Sequence, residues 1–327
     1  MKSNLFYLSV ALIISSMVAS CNSDDGYIYE EGVVWNTVFH ITYQSDSSLS
    51  DSILNVFNEI DNSLSPFNNE SLISKINDNR TNTIDTHFRN VFNESLKINQ
   101  ISNRAFDPTL APLIRAWGFG QGHEVTSDTL CLDSLLNLVG IYKCDIQEEK
   151  LIKADPNIEF NFSALAKGYG VDCIADMFER NGISNYLIEV GGEIRANGCN
   201  SSGNKWSVGI NRPESDADVN ETVTKIYMHS GSVATSGNYR NFHDEGNKRF
   251  GHTISPATGR PVQTDVISAT VIAPSCMEAD ALATACMVIG SSEAIKLCDN
   301  LKAGVFLIKA DMTTVENADF KKFTISD

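Results

Sequence analysis

The chain predicts a single α+β domain in which helices pack on a mostly antiparallel sheet. Helical periodicity fills its first third and strand-like alternation its middle, the order of an α+β protein rather than of a repeating βαβ unit. No Pro-, Gly- or Ser-rich linker divides the roughly 300 residues that follow an N-terminal signal, which implies one compact unit.

That signal is Lys2, an apolar run from Leu5 to Val18, and then Ala19-Ser20-Cys21. Small residues before a cysteine form a lipobox: cleavage ahead of Cys21 frees a site for lipidation, and the polar Asn22 to Gly26 serve as a tether. Residues 1–20 are then signal peptide, 21–32 lipidated cysteine and tether, and 33–327 the folded domain. The expected product is a lipoprotein anchored to a membrane through Cys21, outside the cytoplasm and facing the periplasm. The alternatives are a plain cleavable signal or a membrane span, for which the run is short.

A formal net charge of -16, with no basic stripe, argues against nucleic acid or an anionic membrane surface as partner. An anionic small molecule bound locally remains compatible. Seven further cysteines, Cys131, Cys144, Cys173, Cys199, Cys276, Cys286 and Cys298, include no Cys-x-x-Cys pair, and most fall in apolar helix patterns as small core residues. One disulfide, such as Cys131 to Cys144, is left open.

Tyr27 to Gln44 alternates as a half-buried strand, with Phe39, Ile41 and Tyr43 on one side and Trp35-Asn36-Thr37 at its entrance. Ser50 caps a helix carrying Ile53, Leu54, Phe57, Ile60 and Leu64, which Pro66 ends at Leu64-Ser65-Pro66-Phe67. A short amphipathic run from Glu70 to Asn77 and a helix from Thr86 to Ser102 follow. From Ala105 to Gly120, two prolines and two glycines hold a shape around Phe106, Asp107 and Trp117, as a packed connector or as a ligand contact.

A helix over Ser127 to Val139 and a strand over Ile152 to Ser163 lead into Ala164-Leu-Ala-Lys-Gly-Tyr-Gly170 and a helix to Gly182. Lys167 between glycines at such a junction either holds a phosphate, with backbone N–H groups and a helix start, or is solvated. Tyr186 to Val190, Glu193 to Gly198 and Lys205 to Asn211 read as antiparallel neighbours. Ser232 to Phe242 and His252 to Pro261 carry hydroxyls, one His and two Arg on segments too rich in Gly and Pro for regular structure, which suits a ligand site.

After a strand from Val266 to Ile272, Ser275 and Glu278 form a capping box that opens a helix to Gly290. Asp280 and Thr284 lie four apart on one face of it. This oxygen-only pair suits a hard cation such as magnesium; the alternative reading is that Asp280 is a solvated helix residue. A helix from Ser292 to Asn300 and a closing strand from Val305 to Lys309 complete the set.

Five stretches in this order resemble the FAD:protein FMN transferase (ApbE) family: Leu64-Ser65-Pro66-Phe67; Ala105-Phe-Asp-Pro-Thr109 with Trp117-Gly-Phe-Gly120; Ala164 to Tyr169; Ala234 to Arg240 with His252 and Pro256 to Pro261; and Ala279 to Thr284. The resemblance implies that the protein binds FAD and Mg2+ and moves FMN onto a Thr or Ser hydroxyl of an acceptor protein, leaving AMP. By the same resemblance, Asp280 and Thr284 with the carbonyls of Ala164 and Ala283 hold the metal. Trp35, Phe67, Ala105, Phe106, Asp107, Asn161, Lys167 and Ile254 contact FAD.

Lys167 and Asp280 are then catalytic, and His252 either takes the hydroxyl proton or orders the Ser255-Pro256 turn; Asp280 or Asp107 could take that proton instead. The chain departs from the family at four places. Trp35-Asn36-Thr37 stands for Met-Gly-Thr, Phe67 for Tyr, Asn161 for Asp, and Ser255 for the Asp before the proline. The alternatives to transfer are an FAD-binding lipoprotein without transferase activity, or an FAD pyrophosphatase giving FMN and AMP.

Overall fold

The computed structural model describes residues 19–22, 26–119, 129–213, 222–237, 242–245, 248–251 and 253–325. In chain order the first third gives β1 (Ala19–Asn22), β2 (Tyr27–Val34), β3 (Thr37–Gln44), α1 (Ser50–Leu64), α2 (Leu72–Asn77), α3 (Thr86–Ile101) and α4 (Ala111–Ala116). The middle holds α5 (Thr129–Leu136), β4 (Cys144–Gln147), β5 (Lys150–Lys153), α6 (Ala166–Arg180), β6 (Tyr186–Val190), β7 (Glu193–Asn197), β8 (Trp206–Asn211), β9 (Thr222–Met228) and β10 (Ser230–Gly237). Then come β11 (Phe242–Glu245), β12 (Lys248–Gly251), β13 (Val266–Ala273), α7 (Cys276–Ile289), α8 (Ser291–Leu301), β14 (Gly304–Lys309), β15 (Thr314–Glu316) and α9 (Ala318–Lys321).

Nine strands form one sheet in the order β1-β2-β3-β6-β7-β10-β13-β14-β15, antiparallel at every pairing. Its alternation sorts the core into two layers. Ala269 and Val271 of β13 and Leu307 of β14 face the layer that contains α3, α7 and α8. Ile272 and Phe306 face the opposite way, against Trp206, Ile226 and Phe320 from β8, β9 and α9. Toward the other end of the sheet, Phe39, Ile41 and Ile188 pack under Phe57 of α1 and Val171, Ile174 and Phe178 of α6. The expected α+β domain is therefore present, with its larger helices on one face.

Several elements differ from their sequence reading, each for a local reason. Tyr27 to Gln44 is a hairpin, not one strand: β2 and β3 pair from Tyr27↔Gln44 to Val34↔Thr37 across Trp35 and Asn36. Both turn residues have positive φ, 50° and 61°, the conformation of a tight two-residue turn. β2 belongs to the sheet and includes Tyr27 to Gly32. Leu49 precedes α1 without a side-chain cap, and Ser50 is the first helical residue.

Ile158, Phe160 and Phe162 are alternately buried as expected, but they do not lie in a strand. Their backbone is satisfied elsewhere: Phe160 N donates to Asn77 Oδ1 (2.8 Å), Asn77 Nδ2 donates to Phe160 O (2.9 Å), and Asn161 N donates to Pro108 O (2.7 Å). β8 pairs with β9 in a separate two-stranded sheet rather than with β7. The stretch expected to be irregular from Ser232 contains β10, a central strand whose small buried Ser232 and Ala234 let α7 pack close. β15 lies outside β14, which is therefore not the last strand. Cys144 is a free, buried thiol, so the Cys131 to Cys144 bridge is not made.

Candidate active site at the start of two helices

α6 and α7 approach closely because α6 presents glycine at the contact. A Cβ on Gly168 would stand 2.4 Å from the carbonyl oxygen of Cys276. The first turn of α7 is fastened twice. Ser275 accepts from Glu278 N at 3.2 Å, as the capping pattern predicts, and Asp172 of α6 accepts from Cys276 N (2.9 Å) and Met277 N (2.8 Å). A carboxylate satisfying two unpaired N–H groups at a helix start is favoured by the dipole as well as by the bonds. Arg195 of β7 donates to the same Asp172 at 2.8 Å, so the sheet joins the clamp.

This junction brings Asp280 to the beginning of α6. Gly168 N lies in the first turn of α6, where an N–H has no intrahelical acceptor, and it donates to Asp280 Oδ2 at 3.2 Å. Asp280 is buried and its pKa is pushed up to about 8, first by burial and then by the charge of Glu193; Lys167 and Gly168 N oppose the shift. Lys167 Nζ forms an ion pair with Glu193 Oε1. Burial disfavours the ammonium, but Glu193 and Asp280 outweigh it and raise the Lys167 pKa. The Lys167 side chain keeps 34% exposure while its ammonium is paired with the buried Glu193.

Thr284 lies one turn along α7, with its hydroxyl 3.0 Å from Ser236 Oγ of β10. Ala164 is half-buried two residues before α6, and Ala283 is fully buried on α7. The available donors here are oxygens, which suits magnesium. Among the described residues no three His, Cys, Asp or Glu side chains converge on one point.

The remaining predicted contacts form a second group. Ala105, Phe106 and Asp107 are buried; Asn99 Nδ2 donates to Phe106 O (2.7 Å) and to Asp107 Oδ2 (3.0 Å). Asp107 also accepts from Thr109 N and Oγ1 and from Ile141 N, at 2.9, 2.5 and 3.1 Å. Both of its oxygens are thus committed to holding the loop. Asn161 joins this group through Pro108 O, and its own Oδ1 accepts from Ser163 N at 2.8 Å. Ala105, Asp107 and Ser255 line a cavity of about 750 Å³ that also includes Val288 and Ile289 of α7. Val288 is eight residues beyond Asp280, about 12 Å along the helix, and neither Asp280 nor Lys167 lines the cavity.

Trp35 stacks edge-on against Phe57 (5.2 Å between centroids) and fills the space left by Gly170, where a Cβ would come within 2.5 Å of its ring. Phe67 is 56% exposed. Ile254 is buried beside Leu113 and Trp117, and its backbone bridges to Pro261. His252 lies outside the described residues, as do the side chains of Cys21 and of residues 238–251. Sequence reasoning missed Glu193, Asp172, Arg195 and Ser236. Only the Gly191-Gly192 turn marked the neighbourhood of Glu193, and no periodicity reveals that a strand residue will meet a lysine on another element.

Comparison with known proteins matches residues 35–308 to the ApbE family. Proteins named FAD:protein FMN transferase from Vibrio cholerae and Haemophilus influenzae are each 32% identical to this chain, covering 91% and 96% of it and 92% and 96% of their own lengths. The solved structure of the flavin transferase ApbE from Vibrio cholerae superposes with a TM-score of 0.80 at 31% identity, over 91% of this chain and 99% of that one. The ApbE protein of Thermotoga maritima gives a TM-score of 0.82 at 25% identity, over 92% and 100%. The family match spans the sheet from β3 to β14, both helices of the junction and the loop of Asp107, and on that ground the chain belongs to the ApbE family.

Proposed function

We propose that this protein is a magnesium-dependent FAD:protein FMN transferase, which moves FMN from FAD to a Thr or Ser hydroxyl of a separate acceptor protein and releases AMP. The observation that carries the reading is the bond from Gly168 N to Asp280 Oδ2, which joins a lysine-bearing helix start to a buried carboxylate 112 residues away. Membership of the ApbE family, and the names its relatives carry, support the substrate class.

In this reading Asp280 and Thr284, with the carbonyls of Ala164 and Ala283, hold Mg2+. When bound, the ion neutralises phosphate oxygens and improves AMP as a leaving group. Lys167 places a second positive charge at the pyrophosphate. Trp35, Phe67, Ala105, Phe106, Asp107, Asn161 and Ile254 hold the rest of FAD: Phe67 offers an open aromatic face, and the Asp107 loop is held rigid by its own carboxylate. The acceptor oxygen forms the new bond to the FMN phosphorus, the bond from that phosphorus to the bridging oxygen breaks, and AMP departs with that oxygen. The hydroxyl proton goes to a base, for which His252 is assigned.

The test is incubation with FAD, Mg2+ and a Thr-bearing acceptor protein, followed by in-gel flavin fluorescence and chromatography of the nucleotides. A fluorescent acceptor band with equimolar AMP is expected. FMN and AMP without a labelled acceptor would make the protein a pyrophosphatase, and bound FAD with no products would make it a carrier. Asp280→Ala should abolish transfer while FAD binding falls less; full activity of this variant in chelator would overturn the metal assignment.

The same proposal places the protein on a membrane outside the cytoplasm through lipid on Cys21, on the strength of the lipobox. Cys21→Ser should move it from the membrane to the soluble fraction. An unchanged distribution would remove the anchor from Cys21.

A further inference from the structure

Glu193 is the first residue of β7 and follows a turn in which Gly191 and Gly192 both have positive φ, 64° and 101°. Val190↔Glu193 closes that turn, and the strand carries the Glu193 side chain beneath α6. The residue is 2% exposed. One carboxylate oxygen takes the Lys167 ammonium; the other, Oε2, is buried with no hydrogen-bonding partner in the structure. A buried carboxylate oxygen left unpaired is costly, and such an exception calls for an ion, a water or a function.

Charge counting around it points to an ion. Asp172 is matched by Arg195 and by two backbone N–H groups. Asp280 has Lys167 and the single Gly168 N–H to offset it, Glu193 is the foremost like charge acting on it, and Glu193 itself is paired with the same Lys167. With both carboxylates ionised, two buried acids beside one ammonium leave the site short of positive charge, a deficit that a proton on Asp280 makes up in the cation-free protein. Anion binding alone would worsen that imbalance, whereas a divalent cation corrects it.

We infer that Glu193 is a positioning residue with two partners: Oε1 holds Lys167 in place for a phosphate, and the free Oε2 accepts from the water shell of the divalent cation held by Asp280 and Thr284. Among the described residues no three acidic side chains converge closely enough to share an ion directly. Magnesium keeps several of its waters, so an acid one shell out can still raise affinity. This role rests on the cation site proposed above.

The opposite charges of the two ligands supply a test that a structural role cannot imitate. Mn2+ binding to the FAD-free protein is measured by calorimetry, and FAD binding in chelator by quenching of flavin fluorescence, for the unmodified chain and for Glu193→Gln, Glu193→Asp and Asp280→Asn. Glu193→Gln should weaken Mn2+ by about 10- to 100-fold, the usual effect of an outer-shell ligand partner, while FAD in chelator binds more tightly because a negative charge is gone. Glu193→Asp, which keeps the charge, should fall between. Unchanged Mn2+ affinity in Glu193→Gln, with loss in Asp280→Asn, would overturn this inference and leave the proposed function standing; equal weakening of both ligands would assign Glu193 to structure and overturn it too. Absence of Mn2+ binding in the unmodified chain would remove the cation site itself. If Glu193→Gln does not fold, Lys167→Gln frees both Glu193 oxygens and should tighten Mn2+; no tightening would overturn the inference.

Discussion

A Cβ placed on Gly168 would meet the Cys276 carbonyl carbon at 2.7 Å and Met277 N at 2.9 Å as well as the carbonyl oxygen. All three are backbone atoms of α7, so no side-chain rotation relieves the contact and the helices must part. Gly168→Ala should therefore cost about 1–3 kcal/mol of stability by overpacking, read as a lower urea midpoint, and should weaken the Asp280 bond by lengthening it. A midpoint unchanged from the unmodified chain would show that the junction tolerates separation. Gly170 plays a comparable part for Trp35, whose ring occupies the place of the missing side chain. Trp35 and Asn36 themselves hold positive φ, an uncommon state for a tryptophan. The packing of Trp35 on Phe57 and Gly170 is the compensation visible in the structure.

At the scale of elements, what the sequence made legible was whatever depended on neighbours along the chain. The capping residues Ser275 and Glu278 and the terminal Gly290 place α7 to within a residue, because caps act locally. The alternation of Ile158, Phe160 and Phe162 gave the correct buried side of that segment, but alternation reports burial and not the hydrogen-bond partner, so a coil bonded to Asn77 read as a strand. The hairpin turn was hidden because its αL positions are held by Trp35 and Asn36 instead of a glycine. β10 was hidden for the converse reason: Ser, Gly, Ala and Thr read as loop, while their small size is what a central strand under α7 requires. In the site, Lys167, Asp280 and Thr284 lie in recognisable local patterns. Glu193 and the Asp172 clamp arise only when β7, α6 and α7 are stacked, contacts of 23 to 105 residues in sequence separation.

For the whole molecule, the buried acids tie stability to pH and to ions. In the folded protein without a cation, Asp280 has its pKa raised to about 8, above the ordinary value of 3.8. Between those values the folded state holds a proton that the unfolded state has released, so stability is greatest toward the acid side and declines as pH rises, by at most about 1.4 kcal/mol per pH unit for this group. Above about pH 8 both states have lost the proton and the contribution levels off. Glu193, raised in the same direction by burial, adds a decline of the same sign. At the proposed cation site a divalent ion would take the place of the proton on Asp280, so saturating Mg2+ should oppose the decline and become more stabilising as pH increases. Urea midpoints at about pH 5 and about pH 8, in chelator and in excess Mg2+, measure this directly. The unmodified chain should lose stability with pH in chelator and recover it with Mg2+, while Asp280→Asn should show a shallower slope and little response to the ion. A chelator profile equally steep in both proteins would mean that Asp280 is already ionised in the folded state at acid pH.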